Sequence, residues 1–266
     1  MTTQASAQPA TERTWLARHV VHTLGGRYSV KLGIDVGAGD AQIERWFLAA
    51  TLFGTRITAQ TAERTYQVLT SAGLVRVGQA RCIPYGTFIG YLGQGGYARY
   101  DGQTVARLQA LSEIIGERYD GRAALIGQQH TSYPALRAAL GVLPGWGPVT
   151  IQLFLRELRG VWPGARPPLD PRAEYAARHL GLTSPGSPSL AALTRLASDA
   201  GTDPRDLESG LVRLTLAHHH HRRWLRACPG GDRCAVLTLW PPPAPSGHTR
   251  RARAHQAGRA WGLRYG

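Results

Sequence analysis

The chain has 266 residues, 43% of them hydrophobic, and carries 31 Lys+Arg against 17 Asp+Glu for a formal charge of +14. That length buries a sizeable core, no apolar run reaches the eighteen or so residues of a membrane span, and three cysteines (Cys82, Cys228, Cys234) are too few for a disulfide framework. The basic excess, all arginine except Lys31, points to a polyanionic partner, nucleic acid ahead of an anionic membrane surface. Arginine-rich codon usage alone would also raise this count.

Residues 1–10 are small and polar and are expected to be disordered; they lack the apolar stretch of a secretory signal. A helix is predicted over Thr11–Leu24, stopped by Gly25-Gly26. "YSVKLGI" (28–34) is the best strand candidate in the chain. "GIDVGAGD" (33–40) has the glycines of a nucleotide-binding turn but not the strand and βαβ context such a turn needs. It is read as a loop before a helix, with Asp40 as N-cap; "LGQGGYARY" (92–100) fails the same test. Apolar spacing then predicts helices over Ala41–Phe53, Ala59–Ala72, Thr87–Leu92, Gly102–Arg118, Tyr133–Leu140, Pro148–Leu158 and Arg172–Leu180. Leu190–Ala200, with Ser189 as N-cap, and Asp203–Arg226 complete an all-α chain. Residues 11–239 form the helical domain, and 240–266 are a Pro-rich, then Arg-rich tail that cannot bury a core. The tail either attracts phosphate non-specifically or only solubilises the terminus.

Two clusters suggest metal and fall short of it. In "HHHH" (218–221) neighbouring histidines on a helix point about 100° apart, so at most two share an ion. A solvated or phosphate-facing helix is the better reading. Cys228 and Cys234 supply two thiolates where a structural site needs four ligands.

"LPGWGPVT" (143–150) is the most informative stretch. Pro144-Gly145 suits a type II turn, with the glycine at positive φ. Gly147 has no side chain to keep a neighbour away, and Pro148 suits the first helical position. The pattern is helix, tight hairpin, helix, spanning 133–158. The free amides and dipole of the second helix face an anion, which for a basic protein is a DNA phosphate, held without reading sequence.

Here the chain resembles the helix-hairpin-helix DNA glycosylases, the endonuclease III superfamily. Leu143, Pro144, Gly145, Gly147 and Thr150 match the family hairpin L-P-G-hydrophobic-G-x-x-T, with Trp146 at the hydrophobic place. Asp170, in "RPPLDPRAEYAARHLGL", stands where the family places its catalytic aspartate. "IERWFLAATLFGTRITAQTAERTYQVL" resembles the family's buried helix and its successor, and "GYARYDGQTVARLQALSEII" a further segment. The resemblance covers roughly 43–182.

It implies a fold of two helical subdomains with a DNA cleft between them, and a base-excision glycosylase acting on duplex DNA. Such a protein is expected to be a monomer in the bacterial cytoplasm, at the nucleoid. It departs from the family in three places. Val149 replaces the lysine that forms a Schiff base in bifunctional members, so a monofunctional enzyme without AP-lyase activity is implied. Ala49 replaces the glutamate of the adenine-mismatch branch. Cys228 and Cys234 keep only two of the four cysteines of a [4Fe–4S] cluster, whose other places hold His218 and Leu225; no cofactor or metal is expected.

The flipped base would be cut through an oxocarbenium-like transition state that Asp170 stabilises while orienting water. Trp46, Tyr97, Tyr100, Trp146 and Trp162 are candidate stacking surfaces, and Thr55 and Arg56 lie where relatives insert into the duplex. The alternative is an inactive DNA-binding protein that kept the fold. The damaged base is not readable from the sequence.

Overall fold

The computed structural model describes residues 10–55, 57–97, 101–183 and 189–219, with 218 and 219 described by backbone only. No extended strand occurs among them, and the described chain is all-α. In order come α1 (Ala10–Leu24), α2 (Tyr28–Lys31), α3 (Asp40–Phe53), α4 (Ala59–Ser71), a 3₁₀ turn (Val77–Cys82) and α5 (Tyr85–Gly95). They are followed by α6 (Asp101–Tyr119), α7 (Leu125–Gln129), α8 (Tyr133–Gly141), α9 (Pro148–Glu157), α10 (Pro171–His179), α11 (Leu190–Asp199) and α12 (Pro204–His219). Each predicted helix is present over the described residues. Helix α1 begins at Ala10, inside the segment expected to be disordered; the rest of that segment, the end of the last predicted helix and the tail lie outside the described residues.

The described chain divides into two compact units. One runs from Gly26 to Asp170 and holds α2 to α9; the other combines α1 with the chain from Pro171, α10 to α12.

In the first unit the core is built around α3, where Trp46, Phe47, Leu48, Ala49, Ala50 and Leu52 have no exposed surface. Burial on all sides of one helix fits its apolar composition. Phe47 stacks on Trp146 with ring centroids 4.3 Å apart. Phe154 of α9 meets Trp146 edge-on at 5.1 Å and Trp162 at 5.5 Å. Trp46 Nε1 donates to the Phe154 carbonyl at 3.3 Å. Each such ring contributes roughly 2 to 3 kcal/mol by leaving water. Gly54, which ends α3, lies against the first turn of α9 so closely that a Cβ there would collide with the Thr150 side chain.

Two sequence readings are corrected in this unit. "YSVK" is a helical turn, not a strand, because the buried carboxylate of Glu157 accepts the amides of Tyr28 (2.8 Å) and Ser29 (2.9 Å). Those are the orphan donors of a helix start, and their acceptor lies 128 residues away in sequence. Asp40 is the first residue of α3, not its cap; Gly39, at φ 102°, occupies the cap, and Asp40 Oδ2 accepts from Gln128 Nε2 at 3.1 Å.

In the second unit, α12 packs on α1 and α10, and α11 closes the group. Arg18 Nε donates to the Ala200 carbonyl, Arg213 Nη1 to the Leu24 carbonyl at 3.3 Å, and the Thr215 hydroxyl to the Arg172 carbonyl at 2.7 Å. Ser189 caps α11 as predicted, its side chain accepting the Ala192 amide at 3.1 Å.

Candidate nucleic-acid interface

The hairpin has the local geometry its sequence predicts. Gly145 sits at φ +82°, as the turn requires. The Trp146 amide donates to the Leu143 carbonyl at 3.1 Å, and Pro148 opens α9. Leu143 (3% exposed), Trp146 (3%) and Thr150 (2%) point inward and fasten the turn to the core. Trp146 also donates through Nε1 to the Thr51 hydroxyl at 3.2 Å. Val149 stays half exposed. The exposed surface of the turn is therefore Gly145, Gly147, Pro148 and Val149, while Leu143, Trp146 and Thr150 are anchors.

The two glycines differ in what they do. A Cβ on Gly145 would strike the Arg107 side chain and would sit on left-handed backbone. Gly147 has φ −79° and ψ 176°, extended backbone open to any residue, and a Cβ there meets nothing within 4 Å. The expected close approach at Gly147 is thus not made to any of the described residues.

Beside the hairpin lies an open cavity of about 800 Å³. One side is Gly145 to Thr150; the other brings Thr55 from the end of α3, Tyr97, and Gln103 and Arg107 of α6. Thr55 Oγ1 donates to the Leu52 carbonyl at 2.8 Å and lies 2.6 Å from the Tyr97 hydroxyl. Burial pushes the Tyr97 phenol up to about 12, so it stays protonated. The structure thus unites Thr55 with the hairpin, two features far apart in the chain that the sequence reading linked to one partner. Arg56 and Tyr100 lie outside the described residues. Sequence reasoning missed Gln103 and Arg107; their i, i+4 spacing was the available signal, putting both on one helix face.

Four aromatic residues singled out as stacking surfaces are core residues instead: Trp46 at 0%, Tyr97 at 2%, Trp146 at 3% and Trp162 at 6% exposed. Their rings already face other apolar groups, and none offers a free face.

Asp170 is the last residue of its unit and is 1% exposed. Its Oδ2 lies 3.8 Å from Nη1 of Arg156, which is as buried as the aspartate. Nε and Nη2 of Arg156 find no hydrogen-bond partner among the described residues. The neighbouring Glu157 is also fully buried, which raises its carboxyl pKa, while Arg156 and the Tyr28 and Ser29 amides oppose the rise. A further buried acid, Glu44 on α3, accepts the Ala124 amide through Oε1 at 2.7 Å and leaves Oε2 without a partner among the described residues. Burial pushes its carboxyl from 4.5 up to about 7.

Among the described residues no three His, Cys, Asp or Glu side chains gather where an ion could sit, and no helix is long and apolar enough to cross a membrane. Cys228, Cys234 and the side chains of the histidine run lie outside the described residues; Cys82 is an exposed free thiol. No protein-family model and no curated protein sequence matches the chain.

Proposed function

We propose that this chain binds duplex DNA through the 143–150 hairpin and removes a damaged base as a monofunctional N-glycosylase. The observation that supports this best is the hairpin's orientation of parts. Leu143, Trp146 and Thr150 are turned into the core, Gly147, Pro148 and Val149 at the start of α9 stay exposed, and a cavity lined by the Arg107 cation lies alongside. Backbone amides at a helix start hold phosphate without sequence preference, as an enzyme searching for damage requires. Hydrolysis would need Asp170 at the sugar, where its charge stabilises an oxocarbenium-like transition state and orients water. At 1% exposure the carboxylate meets no substrate unless binding uncovers it.

That burial favours a second reading, in which Asp170 and Arg156 form a structural pair and the chain binds DNA without catalysis. Single-turnover base release from duplexes carrying alkylated purine, uracil or oxidised pyrimidine separates the two. Release from any one of them, lost in Asp170→Asn while duplex binding persists, supports the glycosylase. Binding with no release from the whole panel supports the inactive binder. No duplex binding at low salt sinks both.

A further inference from the structure

We infer that the cavity beside the hairpin takes a backbone phosphate of nucleic acid, with Arg107 as the side chain that grips it. This rests on the DNA-binding reading above and adds to it a named cation and the group it holds.

Arg107 lies on α6 with its aliphatic stem across Gly145, in the space that a side chain at 145 would fill. The turn residue and the arginine therefore fit as a pair: the missing Cβ lets the stem lie down and carries the guanidinium to the cavity. The guanidinium has no ion-pair partner among the described residues, and its field lowers the Tyr97 pKa against the larger effect of burial. Among the described residues lining the cavity there is no Asp or Glu, and Arg107 is the one cation. The site therefore carries one net positive charge, to which the first-turn amides of α9 add partial charge.

A phosphodiester carries one negative charge and two free oxygens, matching a guanidinium fork. Gln103, one turn before Arg107 and exposed, offers an amide donor from the same helix face. Val149 supplies an apolar patch on which a sugar can rest. An open cavity of about 800 Å³ is far larger than a free phosphate needs, so a polymer strand passing through is the better occupant. An acidic peptide would find one cation and few hydrogen-bonding groups to order its several carboxylates.

The test is a salt series of duplex binding by the full chain, followed by fluorescence anisotropy of an undamaged labelled duplex. Arg107→Met keeps the stem over Gly145 and removes the charge. It should weaken binding about tenfold at low salt and lower the slope of log affinity against log salt by about one. Arg107→Lys should restore the slope, and all three proteins should unfold at the same temperature. Gln103→Glu, on an exposed position with no packing role, should weaken binding similarly, and it decides the matter if Arg107→Met does not fold. An unchanged slope in Arg107→Met, or unchanged affinity in Gln103→Glu, with parent protein that binds duplex, overturns this inference and leaves the DNA-binding reading standing. A parent that binds no duplex overturns the DNA-binding reading. If such a parent still binds inorganic phosphate or a nucleoside monophosphate through Arg107, the backbone assignment is overturned and the cavity is a small-anion site.

Discussion

At the scale of single residues, the two hairpin glycines separate folding from binding. Gly145→Ala places a methyl group on left-handed backbone and against Arg107, and should cost about 2 kcal/mol or more of stability. Gly147→Ala should leave the unfolding midpoint within about 0.5 kcal/mol of the parent, because the added carbon meets open space. If the same variant binds duplex DNA markedly less well, the lost contact belongs to the partner. Normal binding by Gly147→Ala, with an unchanged salt slope, makes the hairpin an ordinary corner. Asp170→Asn needs care on the same grounds. Removing one charge from a buried pair typically costs about 3 kcal/mol or more, so activity is to be compared below the variant's own unfolding temperature, set by a thermal melt.

Glu44 gives a pH signature at this scale. Its carboxyl is held protonated up to about 7 in the folded chain, against 4.5 in the open chain. Between those values the unfolded state has released a proton that the folded state keeps, so stability falls as pH rises through the interval and levels off above it. Asp40 reinforces the effect, while Arg76, Arg122 and the Ala124 amide oppose it. The loss amounts to roughly 3 kcal/mol. Glu44→Gln, which can still accept the Ala124 amide, should flatten the dependence; urea midpoints at pH 5 and pH 8 read it directly. A Glu44→Gln protein whose midpoint moves with pH as the parent's does would show that Glu44 is not the group.

Among the elements, legibility followed where hydrogen-bond partners come from. Helices α3, α4, α6 and α9 carry their own signals in apolar spacing, in Pro148 at a first turn, and in local caps. The Thr58 side chain accepts the Thr61 amide at 3.1 Å and Ser189 the Ala192 amide at 3.1 Å, so Ser189→Ala should destabilise α11 by about 1 kcal/mol, visible in thermal unfolding. The missed elements depend on distant groups. Helix α2 exists because Glu157 takes its first amides. The 3₁₀ turn has a local lock, Gln79 Oε1 accepting the amides of Val75 and Arg76, but it is fixed in place by Ser112 on α6, whose hydroxyl accepts the Arg81 amide at 3.2 Å. Periodicity does not reveal a partner on another helix. The candidate site divides in the same way: the hairpin turn was readable from local pattern and Thr55 was named only through the resemblance, whereas Arg107 over Gly145 and Arg156 beside Asp170 are facts of packing.

For the whole molecule, the charge inventory makes a chemical prediction. Of 31 Lys+Arg only Lys31 is a lysine, and it is exposed and paired with Glu63 at 2.7 Å. Acetylating lysine should therefore leave duplex binding essentially unchanged, and modifying arginine with a dicarbonyl reagent should abolish it. By the same inventory, any base release should leave an intact abasic strand that only later alkali cleaves. A covalent adduct trapped by borohydride and mapped to a lysine would overturn this, because position 149 is valine and Lys31 is committed to Glu63.

The contact of Gly54 with Thr150 carries a consequence for how this sequence can drift. Each residue occupies the volume the other would need to grow, so the two positions share a fixed allowance of atoms. Enlarging 54 to alanine alone should be poorly tolerated, and so should enlarging 150; alanine at 54 with glycine or alanine at 150, which removes the hydroxyl and methyl that the new carbon meets, should recover much of the loss. Measured as a double-mutant cycle, the pair should couple by about 1 kcal/mol or more. Across descendants of this chain, an enlarged residue at 54 should arrive together with a reduced one at 150. The end of α3, which carries Thr55, and the first turn of α9 would then be inherited as one rigid joint, with the shape of the cavity recorded in two correlated columns of sequence.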